Sequence, residues 1–280
     1  MGESVIGVVL TLILGATSYK GFRDRRYFED HVFDVDKILI HKDYQRLIAS
    51  GFLHGGWFHL GFNLIALLSF SASVEYRLGP GFFLLIYFVS LIGGNLLALY
   101  IHRNHGDYRA VGASGAISGV IFSSILLFPG GSIGFVILPF EIKNWIFGIA
   151  FVLISILGIK RQADNIGHEA HLGGAIIGVL ATLLIRPSLL MEQPWLIAGI
   201  LVPVVAFLYL VVKNPAILMI DHYWGETIQS ARHIKMRPRK TDHSPVNKEE
   251  ELNTLLDKIR KQGMGSLTTA EKKRLEELSK

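Results

Sequence analysis

The chain has no cysteine, so disulfides, thiolate metal ligands and a cysteine nucleophile are all excluded. It is also poor in charge. Asp, Glu, Lys and Arg make up 18% of its 280 residues, against about 25% in an ordinary soluble domain. Acidic residues are missing from the interiors of its apolar runs, and no internal repeat is visible; both absences argue against a transporter. The start of the chain, Met1-Gly2-Glu3-Ser4, has no basic segment of the secretory type, and no small-residue cleavage site leads into a soluble domain. Val5–Tyr19 is therefore expected to be a retained first span. Met1-Gly2 opens like a myristoylation signal, but Ile6 stands where that signal needs Ser or Thr.

What the chain has in abundance is apolar sequence, 50% of residues, with a mean hydropathy of +0.40. It comes in blocks with short breaks between them, the pattern of a protein that crosses a bilayer repeatedly. Seven spans are expected, at Val5–Tyr19, Trp57–Ser73, Phe82–Ile101, Ser114–Phe128, Trp145–Ile159, Ala170–Ile185 and Trp195–Val212. Several fall short of the ~20 residues a perpendicular helix needs, which is tolerable where a helix end is buried in protein. Breaks such as Arg77-Leu78-Gly79-Pro80-Gly81 and Pro129-Gly130-Gly131 separate them. The expected fold class is all-α, a polytopic membrane helix bundle. Residues 1–213 form the transmembrane domain, 214–250 a basic flexible linker, and 251–280 a small soluble helical hairpin with Thr268 and Glu271 as a capping box. The net charge of +5 and pI near 9.3 are accounted for by basic residues flanking spans, so no nucleic-acid partner is expected.

Three polar motifs open the second, fourth and sixth spans. They are His59-Leu60-Gly61-Phe62-Asn63, Gly112-Ala113-Ser114-Gly115, and His168-Glu169-Ala170-His171-Leu172-Gly173-Gly174. Spans two, four and six enter the membrane from the same side, so their first turns lie at similar depth. His59 and Asn63, four apart, share a helix face. Gly115 and Gly119 are four apart, as are Gly174 and Gly178, a spacing that lets membrane helices approach closely. Closeness of that kind is what a serine hydroxyl and an imidazole on different helices need to hydrogen bond. In this arrangement Ser114 is the nucleophile and His171 its general base and acid. His59, Asn63 and the Ser114 backbone N–H are donors to an oxyanion. With only Glu169 near the histidine, a dyad is expected rather than a triad.

Bland readings compete with each of these. A lone serine among glycines is more often helix packing than a nucleophile. Two histidines and an asparagine at the same depth reverse that balance, because polar groups inside a bilayer are expensive to hold there. His54 and His168 read as interfacial, and His102 and His105 as solvated loop residues. Phe82, Phe83, Tyr87 and Phe88 read as lipid-facing bulk. His168 and His171 are spaced i, i+3, not the i, i+4 of a zinc helix, so no metal and no cofactor are expected.

On His59 and Asn63, Gly112-Ala113-Ser114-Gly115, Ala170-His171-Leu172-Gly173-Gly174 with Gly178, and Glu75-Tyr76-Arg77-Leu78-Gly79, the sequence resembles the rhomboid family of intramembrane serine proteases. The resemblance implies a six-helix core plus a seventh transmembrane helix, with Ser114 and His171 as the dyad. It implies transmembrane protein substrates, cut within their membrane segments, and a lipid bilayer as setting, here expected to be the plasma membrane. A rhomboid-like protein that binds membrane clients without cutting them is the alternative. Gln45-Arg46 stands where many relatives have Trp-Arg, and Ser118 where some have an aromatic on the catalytic histidine. The implied orientation puts the site toward the outside, whereas the excess of Lys and Arg in the loops on that face points the other way.

Overall fold

The computed structural model describes residues 4–134, 141–161, 167–213, 245–262 and 264–278. The chain divides into two units, Met1–Trp224 and Gly225–Lys280. In the first, seven long helices are found among the described residues: α1 (Val5–Arg23), α2 (Trp57–Leu78), α3 (Pro80–Ile101), α4 (Ser114–Leu127), α5 (Asn144–Arg161), α6 (His168–Ile185) and α7 (Pro194–Lys213). Five have stretches long and apolar enough to cross a membrane, and the apolar parts of α4 and α5 are shorter. The protein is an all-α, multi-pass integral membrane bundle.

Helices α2 and α6 begin or end outside their hydropathic spans for local reasons. α2 continues through Glu75 and Arg77 to Leu78 because Glu75 has work to do there. Its carboxylate accepts from Ser4 Oγ and from the Ile6 backbone N–H (3.1 Å), tying down the start of α1. α2 then stops at Gly79, whose φ of +86° suits glycine, and Pro80 opens α3 with its fixed φ. The α6 helix begins at His168 rather than Ala170, which draws Glu169 into the bundle.

Helix α4 is the hub. From Gly115 to Leu127 every residue is buried. Its fourteen residues span about 21 Å at 1.5 Å per residue, less than the ~30 Å hydrocarbon core. At that length α4 cannot cross the core by itself, and the non-helical backbone that makes up the difference is tolerable only inside protein. On one side α4 meets α6 through paired glycines. A Cβ on Gly174 would fall on the Gly115 carbonyl, and one on Gly178 on the Gly119 backbone. Below that crossing Thr182 Oγ1 donates to Ser123 Oγ (2.7 Å), and Ser123 Oγ to the Gly119 carbonyl (2.8 Å). On its other side α6 meets α3, where a Cβ on Gly94 would strike the Ala170 carbonyl. Phe83 and Tyr87 on α3 are fully buried, so two of the four aromatics expected to face lipid belong to the core instead. Their neighbours Ser90, Leu91 and Gly94 continue the same inward stripe.

The excursion between α1 and α2 carries three short helices, Arg25–His31, Val35–Leu39 and Arg46–Ala49. Its strand β1 (Phe33–Asp34) pairs antiparallel with β2 (Arg109–Ala110), in the segment leading to Ser114. Arg46, only 4% exposed, organises the excursion. Its Nε donates to Asp43 (2.6 Å) and its Nη1 to the carbonyls of Glu29 (2.9 Å) and Val32 (2.8 Å). On the opposite face β3 (Ser132–Gly134) pairs with β4 (Glu141–Lys143).

In the second unit α8 (Pro245–Gln262) and α9 (Thr269–Leu278) flank the short turn Met264–Ser266. The Thr268 N–H donates to Glu271 (2.8 Å), the Glu271 N–H to Thr268 Oγ1 (3.3 Å), and Lys258 Nζ to Glu271 (2.6 Å). Most of the stretch read as a linker, 214–244, lies outside the described residues, and its last residues, from Pro245, open α8.

Overpacking a close backbone crossing typically costs about 1–3 kcal/mol. Gly178→Ala is therefore expected to lower the thermal unfolding temperature in detergent micelles. Gly15→Ala, with open space around its Cα, should leave it unchanged or raise it.

Candidate active site

Ser114 is the first residue of α4, and His171 sits one turn into α6. The α4–α6 glycine crossing brings their side chains together, with His171 Nε2 and Ser114 Oγ 2.7 Å apart. That is within the reach a general base needs for its nucleophile. Ala113, before Ser114, supplies no side-chain cap to the backbone N–H groups of the first α4 turn.

His59 stands on the third side. Gly112, at φ +133°, comes so close that a Cβ there would lie 2.8 Å from His59 Cε1 and 2.9 Å from its Nε2, and 3.6 Å from Ser114 Oγ. Only glycine can occupy this turn, on conformational and steric grounds together. The imidazole of His59 and the Ser114 hydroxyl thus both flank this turn. Asn63 is buried one turn further along α2, and its Nδ2 donates to the His59 carbonyl (2.8 Å). The amide keeps a second N–H for another acceptor. The four residues picked from the sequence, Ser114, His171, His59 and Asn63, are all found at this one end of α2, α4 and α6.

Several neighbours behave differently from their sequence-based reading. His54 is buried in protein: it is 1% exposed, its Nδ1 lies 2.8 Å from Ser18 Oγ, and its ring meets His59 edge-on at 5.0 Å. Burial first, and the nearby His59 second, push His54 down to about 3 from its ordinary 6.5. His102 is not solvated either, at 7% exposed, because Glu169 lies 3.1 Å from its Nε2 and Tyr108 stacks flat on its ring at 3.6 Å. Glu169 is thereby turned to His102 rather than to His171. Burial, then the Glu169 carboxylate, holds the Tyr108 phenol above its usual range.

The position one turn after Ser114 is Ser118, whose Oγ bonds the Ser114 carbonyl (2.6 Å) and leaves the histidine face open. Phe151 of α5 fills that place, its ring centroid 5.5 Å from that of His171 at a 36° tilt. Phe147 and Phe122 back it up at 6.2 Å and 5.9 Å. Sequence reasoning missed Phe151. An aromatic on an apolar span gives no sign of which way it faces until the neighbouring helix is placed.

Comparison with known proteins matches residues 41–188 to the family described as Rhomboid domain, and residues 239–280 to a family of unknown function. The yeast Saccharomyces cerevisiae "Rhomboid protein 1, mitochondrial" is 34% identical over 150 residues, covering 51% of this chain and 43% of the relative. "Rhomboid protease GluP" of Bacillus subtilis is 33% identical over 146 residues, 52% of this chain and 27% of the relative. The human "Presenilin-associated rhomboid-like protein, mitochondrial" is 30% identical over 139 residues, 48% and 36%. The matched stretch thus spans less than half of each of these relatives.

Two expectations follow from the geometry. An aromatic contact of this kind contributes about 0.5–1.5 kcal/mol. Phe151→Ala should therefore slow labelling of Ser114 by a serine-reactive fluorophosphonate up to about tenfold, and Phe151→Tyr should restore it. His54 is neutral when folded and has its ordinary 6.5 when unfolded. Its contribution is complete above the unfolded value and is lost as pH falls toward the folded one. By linkage this takes away about 2 kcal/mol between pH 7.5 and pH 5. The unfolding temperature should fall over that window, and fall less in His54→Gln.

Proposed function

This chain belongs to the rhomboid family, and from that premise we propose that it is an intramembrane serine endopeptidase that cuts transmembrane segments of other membrane proteins. The observation that carries the reading is the 2.7 Å approach of His171 Nε2 to Ser114 Oγ across two helices. A relative named as a protease supports the reaction class.

In the proposed mechanism Ser114 Oγ attacks the scissile carbonyl carbon while His171 Nε2 takes its proton. The carbonyl oxygen becomes an oxyanion and receives hydrogen bonds from the Ser114 N–H, from His59 and from the free N–H of Asn63. One preorganised donor of this kind is worth roughly 10²–10³ in rate. Collapse breaks the C–N bond. His171 gives its proton to the leaving amine, and an ester to Ser114 remains. Water then adds to the ester with His171 as base, and the proton returns to Ser114 as the acid product leaves. The place of Ser114 at the first residue of α4, rather than in mid-helix, supports access for that water.

The work is assigned to the transmembrane part, 1–213. The basic linker and the helical hairpin, its start moved to Pro245, are accessory. The substrates are transmembrane proteins held in the same bilayer. Relatives with mitochondrial names weigh against the plasma membrane as its location.

Detergent-solubilised protein treated with a fluorophosphonate probe is expected to label on Ser114. Ser114→Ala should abolish labelling, and His171→Ala should slow it by about 10³ or more. A folded wild-type protein that takes up no probe would move the assignment to a membrane protein that binds clients without cutting them.

A further inference from the structure

Glu169 is a buried carboxylate in a membrane bundle, and the dyad does not use it. Such a group is costly in a bilayer and tends to be there for function. Its partners explain where it is spent. His102, at the end of α3, holds it at 3.1 Å. Tyr108 stacks on the His102 ring at 3.6 Å with the two planes 6° apart, and its hydroxyl is turned to the same carboxylate. Tyr108 is in turn fixed from the other side. Its carbonyl accepts from the Val35 N–H (3.2 Å), and its ring meets Phe33 edge-on at 6.1 Å.

The positions of these residues along the chain matter most. Glu169 lies two residues before His171. Tyr108 lies six before Ser114 and four before Gly112, the turn that borders His59. The Tyr108–Glu169 contact therefore spans the same two chain segments as the Ser114–His171 hydrogen bond. Closeness there is independently visible at Gly167, where a Cβ would come 3.5 Å from the Tyr108 hydroxyl and 3.9 Å from Ala110 Cβ. The β1–β2 pair extends the same tie to the excursion between α1 and α2, where Arg109 forms an ion pair with Glu29.

We propose that Glu169, His102 and Tyr108 form a brace that sets the distance and angle between Ser114 and His171, with Glu169 as a positioning residue for the dyad. The inference rests on the serine-protease reading of that dyad. Without the brace, the first turn of α6 keeps its backbone packing at Ala170 against Gly94 and Gly115 but loses the polar tie to the segment before Ser114, so its upper end can shift relative to α4. A displacement of about 1 Å in such a pair can lower the rate by roughly 10²-fold.

The test compares Glu169→Ala, Glu169→Gln and Tyr108→Phe with wild type, each at matched amounts of folded protein. Glu169→Ala should lower fluorophosphonate labelling of Ser114 and the kcat for a cleaved membrane substrate by about 10- to 100-fold, with KM changed less than about threefold. Glu169→Gln, which keeps an acceptor oxygen in place, should recover most of that loss. Tyr108→Phe should lose less than Glu169→Ala, and the double variant should lose no more than Glu169→Ala alone. In parallel, hydrogen exchange in Glu169→Ala should speed up at the backbone amides of 168–172 but not in the lower half of α6. Wild-type labelling and kinetics in Glu169→Ala would overturn the brace, as would a loss that Glu169→Gln does not relieve. If wild type itself does not label, the protease reading fails. Hydrogen exchange then decides the brace by itself, and unchanged exchange at 168–172 overturns it.

Discussion

Everything at this site waits on how closely α4 approaches α6. Two side chains as short as serine and histidine meet only if their helix backbones nearly touch, and in a bilayer no hydrophobic drive presses helices together. Here the touching surfaces are glycine against glycine, Gly115 with Gly174 and Gly119 with Gly178. The bonds of Thr182 and Ser123 add directional cohesion just below. Gly94 on α3 repeats the device on the far side of α6, so this helix is gripped from two directions. A larger residue at any of these points would open the Ser114–His171 gap before it disturbed either reacting group.

The proposed hydrolysis would also have to reconcile a wet reaction with a dry surround. The fold starts α4 only at Ser114, and the backbone leading to it is not helical but is covered. Arg46 takes up carbonyls of the excursion that helices would otherwise have satisfied internally, and the Gly112 N–H goes to the Ser50 carbonyl (3.0 Å). Asn95 of α3 serves the Leu47 carbonyl in the same way (2.8 Å). Irregular chain at that depth is affordable because each of these groups is met by protein.

The spans, their parity and the four polar residues were legible in the sequence because they follow from one-dimensional rules: apolar run length, i, i+4 spacing and alternate crossing. The glycine pairs were legible for the same reason. The neighbours of those residues were not. His102 sits among Arg103, Asn104 and His105 and reads as loop, and only the third dimension brings Glu169 and Tyr108 to it. Phe151 resembles every other apolar residue of α5, and the vacancy it fills at Ser118 is 33 positions away in the chain. Phe83 and Tyr87 were misread because hydropathy tells how apolar a helix is and not which of its faces meets lipid. Glu75 extends α2 past its apolar limit to serve the start of α1, a contact between residues some seventy apart.

The distribution of charge bears on the orientation conflict. Counting Lys and Arg by loop treats each as a free charge near the membrane surface. Arg46 is buried among the carbonyls of Glu29 and Val32, and Arg109 is engaged with Glu29 and Asp34 (3.7 Å for the latter). Both belong to the excursion and the strand beside the candidate site, where a guanidinium's several donors gather carbonyls and carboxylates. Their presence on that face follows from what the excursion must hold together, whichever side of the membrane it occupies. The positive excess there is accordingly a weaker guide to topology than its raw count implies, and the arginines that build the site have to be set aside before the rule is applied.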